Sequence, residues 1–142
     1  MNPRKTTTGA VLEQMALPAL KHGGYEYTPQ VEVGERLGGG KHKVDLVAEN
    51  TRGEKILISL KWQQVAGTAE QKVPYEIMCL AEIIRTTEEY SRAYVVLGGP
   101  GWREGLKRYF TSNDWRYYIH NAEKVRVITL DEFVSLANQG RL

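Results

Sequence analysis

The amino-acid sequence predicts an α/β fold built around a mixed β-sheet. Three strand-like segments follow one another in the first half with only turns between them. A helical stretch then separates them from "AYVVLGG", and a second helical stretch separates that run from "KVRVITL". Strands joined by turns pair antiparallel, and strands joined by helical crossovers pair parallel. The order helix, three strands, helix, strand, helix, strand, helix therefore requires a sheet of both kinds flanked by helices.

The elements follow in order. Thr8 suits a helix cap, Val11, Met15 and Ala19 recur by fours, and "HGG" supplies a stop after His22. Pro18 should shorten or bend that helix. "YEYTPQVEVG" has strand character interrupted by Pro29, "KVDLVAE" is a clearer strand, and "EKILISLKWQ" follows the turn-forming "NTRG". Together they predict an antiparallel meander. Ile77, Leu80, Ala81 and Ile84 predict a helix from about Pro74 to Thr87, with Pro74 in its first turn or with an earlier start at "TAEQ". "AYVVLGG" reads as a buried strand, "REGLKRYF" as a helix followed by a polar aromatic loop, "KVRVITL" as a strand, and a last helix begins near Asp131.

With 142 residues, 42% hydrophobic and 25% charged, the chain suits one soluble domain over residues 1–142 with a core of its own. Nineteen basic and seventeen acidic residues give +2, so any nucleic-acid site must come from local clustering. Cys79, the one cysteine, excludes an internal disulfide, and its place in "IMCLAEII" suits a buried thiol. An intracellular, cytoplasmic setting is the resulting expectation. Glu13 and Gln14 break up the apolar part of the N-terminal segment, which reads as a helix and not a signal peptide. No apolar run approaches the roughly 20 residues of a membrane span.

The chemistry concentrates between Lys41 and Glu76. Alternation along "EKILISLKWQ" puts Ile56, Ile58, Leu60 and Trp62 on one face and Leu57, Ser59, Lys61 and Gln63 on the other. With "KVDLVAE" as hairpin partner, antiparallel pairing brings Asp45 to Lys61. A carboxylate can hold a hard divalent cation, and a lysine can orient water or offset charge growing on a phosphate, which together suit phosphodiester hydrolysis. An ordinary salt bridge at the end of a hairpin is the competing reading.

The wider pattern resembles the PD-(D/E)XK nuclease superfamily, with its restriction-endonuclease-like core and αβββαβ order. In that family an acid begins the second core strand, an acid-x-Lys motif lies on the third, and a preceding helix often adds a glutamate. Asp45, Ser59-Leu60-Lys61 and Glu13 match these places. "Gly9-Ala10-Val11-Leu12-Glu13" is also similar to the Gly-x-x-x-Glu of small junction resolvases in the superfamily. The resemblance runs from about Thr8 to about Gly99. Ser59 departs from the pattern, because a serine stands where the second acid is usual. One subgroup of restriction enzymes reads Ser-x-Lys and draws the missing carboxylate from the following helix, which implies Glu76 here, with Glu70 as the earlier candidate. Gln71 and Tyr75 look like the Gln-x-x-x-Tyr element of RecB-type members.

The resemblance implies a Mg²⁺-dependent DNA endonuclease, tolerant of Mn²⁺. Asp45, Glu76 and Glu13 would hold metal, Lys61 would act beside them, and Ser59, Gln63, Gln71 and Tyr75 would support them. Arg36, Lys41, His42 and Lys43 lie on a glycine-rich hairpin, and Lys107, Arg108 and Arg116 lie among aromatics; both groups suit contacts with DNA. Cutting both strands of a duplex calls for two centres, hence a homodimer on duplex or branched DNA. A structure-specific junction resolvase, an inactive DNA-binding module and a plain interaction domain stay open as alternatives. "GGPGWREG" lacks the Gly-Lys-Ser/Thr ending of a phosphate loop, so no nucleotide cofactor is expected. His42, His120 and Cys79 are too scattered for a zinc set.

Overall fold

The computed structural model describes residues 9–142. Five strands form one sheet in the order β1-β2-β3-β4-β5. They are β1 (Glu26–Glu35), β2 (Lys41–Glu49), β3 (Lys55–Trp62), β4 (Arg92–Gly98) and β5 (Val125–Thr129). The first three pair antiparallel through tight turns, and β3–β4 and β4–β5 pair parallel. The expected α/β mixed sheet is thus the observed one. Pro29 does not end β1, which runs through it. β1 is an edge strand, where a missing N–H is tolerated.

Helices cover both faces. The first, α1, contains a π-helical turn at Leu12–Ala16 and an α-helical segment at Leu17–His22. Pro18 has no N–H for the Gln14 carbonyl and its ring crowds that carbonyl, a local reason for the wider turn just ahead of it. The suggested Thr8 cap lies outside the described residues. α2 (Ala69–Thr87) crosses from β3 to β4, α3 (Glu104–Thr111) from β4 toward β5, and α4 (Leu130–Asn138) follows β5. Thr129 caps α4 by accepting the Glu132 N–H. A 3₁₀ turn, Asp114–Tyr117, orders part of the aromatic segment expected to be loop.

The periodicity expected from the sequence appears as two cores. Leu12, Ala16 and Leu20 of α1 and Phe133 of α4 pack on the face carrying Leu46, Ile56, Ile58 and Leu60. Ile77 and Leu80 of α2 and Phe110 of α3 pack on the face carrying Leu57, Val95 and Val127. α2 begins at Ala69, the earlier of the two expected starts, within "TAEQ", so Pro74 lies inside the helix and not in its first turn. The apolar stripe explains the tolerance, because Val73, just before the proline, is fully buried against the sheet. An internal proline costs about 3 kcal/mol, which burial of this face offsets.

The outer part of the β1–β2 hairpin turns out of the plane that alternation predicts. Val44 should share a face with Leu46, yet it packs with Val33 in the α2 core. Gln30 has φ 54° and the pairing shifts register between Glu32 and Gly34. Such irregularities bend a ribbon, and here the bend brings the hairpin end onto α2.

Candidate active site

The site lies where β2 and β3 separate. Their paired register runs from Glu49–Lys55 to Leu46–Ile58. Beyond it the Asp45 carboxylate takes over, with Oδ2 accepting the Leu60 N–H at 2.6 Å. Burial pushes the Asp45 carboxyl above its ordinary range, opposed by the Leu60 N–H and the Lys61 charge, while the Glu76 charge adds to the rise. Asp45, Lys61 and Glu76 therefore lie within electrostatic reach of one another.

Glu76 projects from α2 toward the sheet and is buried. Its Oε2 lies 3.0 Å from His42 Nε2, and its Oε1 accepts from Arg36 Nη1 at 3.0 Å. Lys61 Nζ stands 3.9 Å from the same Oε1. Burial by itself would raise the Glu76 carboxyl. The His42 hydrogen bond, the Lys61 charge and the Ser59 hydroxyl outweigh it and hold the group at about 2. Ser59 is itself buried beside this group.

His42 is the residue whose role the sequence reading missed. It is not on the exposed hairpin surface expected of a DNA contact, because it is fully buried against Glu76. Its Nδ1 has no hydrogen-bond partner among the described residues. The signal was present in "KHKVDL", where alternation from buried Val44 turns His42 inward and leaves Lys41 and Lys43 exposed. Arg36 likewise spends its guanidinium on Glu76, half-buried at the end of β1.

The remaining candidates divide. Tyr75 accepts the Gly38 N–H at 3.0 Å, which ties the hairpin tip to α2. Gln71 is exposed on the same helix. Gln63 is buried and fully engaged: its Nε2 donates to the Gly101 carbonyl at 3.0 Å and its Oε1 accepts the Ala69 N–H at 3.0 Å. It thereby pins the start of α2 to the loop after β4. Gly101 has no room for a side chain there, since a Cβ would come within 2.5 Å of the Val65 backbone. The "GGPG" run thus serves close backbone packing.

Glu13 is exposed on α1, on the opposite face of the sheet from α2. Among the described residues Glu13, Asp45 and Glu76 do not form one three-carboxylate metal group. Glu70 is held elsewhere, accepting the Arg103 N–H at 2.8 Å. Lys41 pairs loosely with Glu32 at 3.6 Å, and Lys43 and Arg108 are exposed, with Lys107 half-buried. Arg116 is not free for DNA. It donates to the carbonyls of Ala122 and Val125 at 2.7 and 2.6 Å and lies 4.2 Å from the Trp115 ring centre.

Residues 4–141 match the PD-(D/E)XK nuclease superfamily domain. The chain belongs to that superfamily. No curated protein matches the sequence. A solved structure described as a repair endonuclease from Pyrococcus abyssi aligns with a TM-score of 0.45 and 14% identity, over 89% of this chain and 46% of that one. The chain thus spans less than half of that protein.

Members of this superfamily generally use divalent metal ions. Among the described residues no three His, Cys, Asp or Glu side chains converge on one point. Mg²⁺ does not require three, since it is commonly held by one or two carboxylates together with substrate phosphate and water. Asp45 and Glu76 fit that requirement as hard oxygen donors. The desolvated Asp45 carboxylate is also a group that a cation would stabilise. No helix among the described residues is long and apolar enough to cross a membrane.

Proposed function

We propose that this PD-(D/E)XK protein is a metal-dependent DNA endonuclease, with Asp45, Lys61 and Glu76 as its centre. What supports the reading is that Lys61 Nζ lies 3.9 Å from Glu76 and that Asp45, where the β2–β3 ladder opens, feels the charges of both. Asp45 and Glu76 would hold Mg²⁺, which when bound lowers the pKa of an attacking water and neutralises phosphate charge. Lys61 Nζ would hydrogen-bond to that water or to a phosphate oxygen as negative charge develops. Ser59, too weak a donor to replace an acid, would serve by holding Glu76. Asp45 is placed from its backbone contact with Leu60, so its position is fixed before substrate arrives. Lys41, Lys43 and Arg108, all exposed, would meet the phosphate backbone of duplex or branched DNA. A homodimer would supply the second centre that double-strand cleavage needs.

An inactive DNA-binding module is the second reading. It is favoured by one observation, that both Glu76 oxygens already have protein partners. Cleavage of plasmid, linear duplex and four-way-junction DNA in Mg²⁺, Mn²⁺ or EDTA separates the readings. The nuclease reading expects metal-dependent fragments from the native chain and none from Asp45→Ala, Lys61→Ala or Glu76→Ala. Salt-sensitive binding without cleavage by the folded native chain in either metal would replace it with the binding module. Preference for the junction over the duplex would identify a resolvase.

A further inference from the structure

The Arg36–Glu76 pair sits in the site without a place in the chemistry above. Arg36 comes from the end of the β1–β2 hairpin, followed by Leu37 and three glycines. Its guanidinium lies 3.0 Å from Glu76 Oε1, the oxygen nearest Lys61. The Arg36 side chain is about a third exposed, whereas Glu76 is buried. One cation therefore reaches a buried carboxylate from solvent, on an element whose exposed tip is tied to α2 by the Gly38–Tyr75 hydrogen bond. The other Glu76 oxygen is fixed from beneath by fully buried His42. Of the two partners at 3.0 Å, only Arg36 can leave without unpacking the core.

We propose that Arg36 is a substrate-responsive gate: it occupies the metal-binding oxygen of Glu76 in the free protein, and a DNA phosphate draws it away. A guanidinium pairs with phosphate at least as well as with carboxylate, through the same forked geometry. The transfer leaves Glu76 with an oxygen open to the metal and places Arg36 on the backbone beside the scissile group. Phosphate and metal then bind with positive coupling, because each favours the state with Arg36 released. Metal would be held weakly until DNA is in place. This inference rests on the nuclease reading of the same site.

The test is Mn²⁺ affinity by calorimetry on the full chain, for the native protein, Arg36→Ala and Arg36→Met. Each is titrated free and saturated with a hydrolysis-resistant phosphorothioate duplex. Arg36→Met keeps the aliphatic stem where it packs, and thermal melts verify that the variants are folded. Both variants should bind Mn²⁺ more tightly than the native chain without DNA, by roughly the 5- to 150-fold span usual for coupled sites. The duplex should tighten Mn²⁺ binding for the native chain and have much less effect on the variants. Unchanged or weaker affinity in folded variants would overturn the gate. If the native chain still cuts DNA in that case, the nuclease reading survives it. Absence of Mn²⁺ binding by all three proteins, with and without duplex, would overturn both.

Discussion

Asp45 accepts the Leu60 N–H at 2.6 Å just past the last β2–β3 backbone pair. One side chain therefore does the work of a ladder carbonyl and keeps a desolvated carboxylate at the mouth of the site. A buried N–H donor left unpaired costs about 1–3 kcal/mol, so the bond to Leu60 explains why the strands can part here without a large loss. It also links the fold to the chemistry. The residue that bridges the strands where they part is the one that the proposed centre would use to hold a cation.

Asp45→Asn separates those two duties. The amide oxygen still accepts from Leu60, but the charge is gone. Burial raises the Asp45 pKa in the folded protein, so the native state binds this proton more tightly than the unfolded chain. Ionisation therefore lowers stability as pH rises from the ordinary value of 3.8 through the folded value. At neutral pH in EDTA, Asp45→Asn should melt above the native protein, lose cleavage, and lose any stabilisation by Mg²⁺. Asp45→Ala should lose cleavage and melt lower, because Leu60 is left unpaired. A lower melting temperature for Asp45→Asn than for native protein in EDTA would show that the charge is not a burden.

Glu76 gives the opposite pH dependence. Its folded pKa is held at about 2 against an ordinary 4.5, so it contributes stability above pH 4.5 that is lost as pH falls toward 2. Breaking a buried ion pair from one side costs on the order of 3 kcal/mol. Glu76→Gln should therefore be less stable by about that amount at neutral pH, with a flatter profile between pH 4.5 and 2. Glu54 is also held low, but it is at the surface and screened. Urea denaturation of the native and Glu76→Gln proteins across this range isolates the Glu76 contribution. Parallel profiles would mean that the His42, Lys61 and Ser59 interactions with Glu76 do not persist in solution.

What the sequence revealed depended on whether a residue's role follows from local pattern. Alternation along β3 separated Ile56, Ile58 and Leu60 from Leu57, Ser59 and Lys61, and the two cores divide Ile56, Ile58 and Leu60 from Leu57 in the same way. Antiparallel pairing of β2 with β3 placed Asp45 near Lys61 because hairpin geometry is local. Local pattern offered two starts for α2, at Pro74 and at "TAEQ", and could not choose between them, because the cost of Pro74 is local while the compensating burial of Val73 is tertiary. The Arg36–Glu76 and Gln63–Gly101 contacts span separations of 40 and 38 residues, which no periodicity encodes. His42 lay between the two cases. Its inward direction was legible, but its partner depended on the bend in the hairpin.

Gln63 should behave as a structural pin and not as part of the chemistry. Gln63→Ala removes the acceptor for Ala69 and the donor to Gly101. Each buried group left unpaired costs about 1–3 kcal/mol, so chemical denaturation should show a loss in that range or above. Once folded, the variant should cut DNA at a rate close to that of the native chain. A folded Gln63→Ala protein without cleavage would place the Gln63 amide in the reaction itself.

Lys61 should show the reverse pattern, large in activity and small in stability. Its Nζ is 3.9 Å from Glu76 Oε1 and its side chain is 22% exposed, so the pair is loose and partly screened. At that separation the pair is not hydrogen-bonded, so its loss should cost less than the roughly 3 kcal/mol expected for Glu76→Gln. Lys61→Met preserves the stem that packs at the end of β3 and removes only the charge. Cleavage should fall by about 10²–10³-fold, the usual effect of deleting one group that stabilises transition-state charge. Mn²⁺ affinity should stay the same or rise, because a cation beside the site has been removed. Single-turnover cleavage and Mn²⁺ calorimetry on the same preparation check both parts. A parallel loss of Mn²⁺ binding and cleavage would mean that Lys61 acts by organising Asp45 and Glu76, not by meeting the substrate.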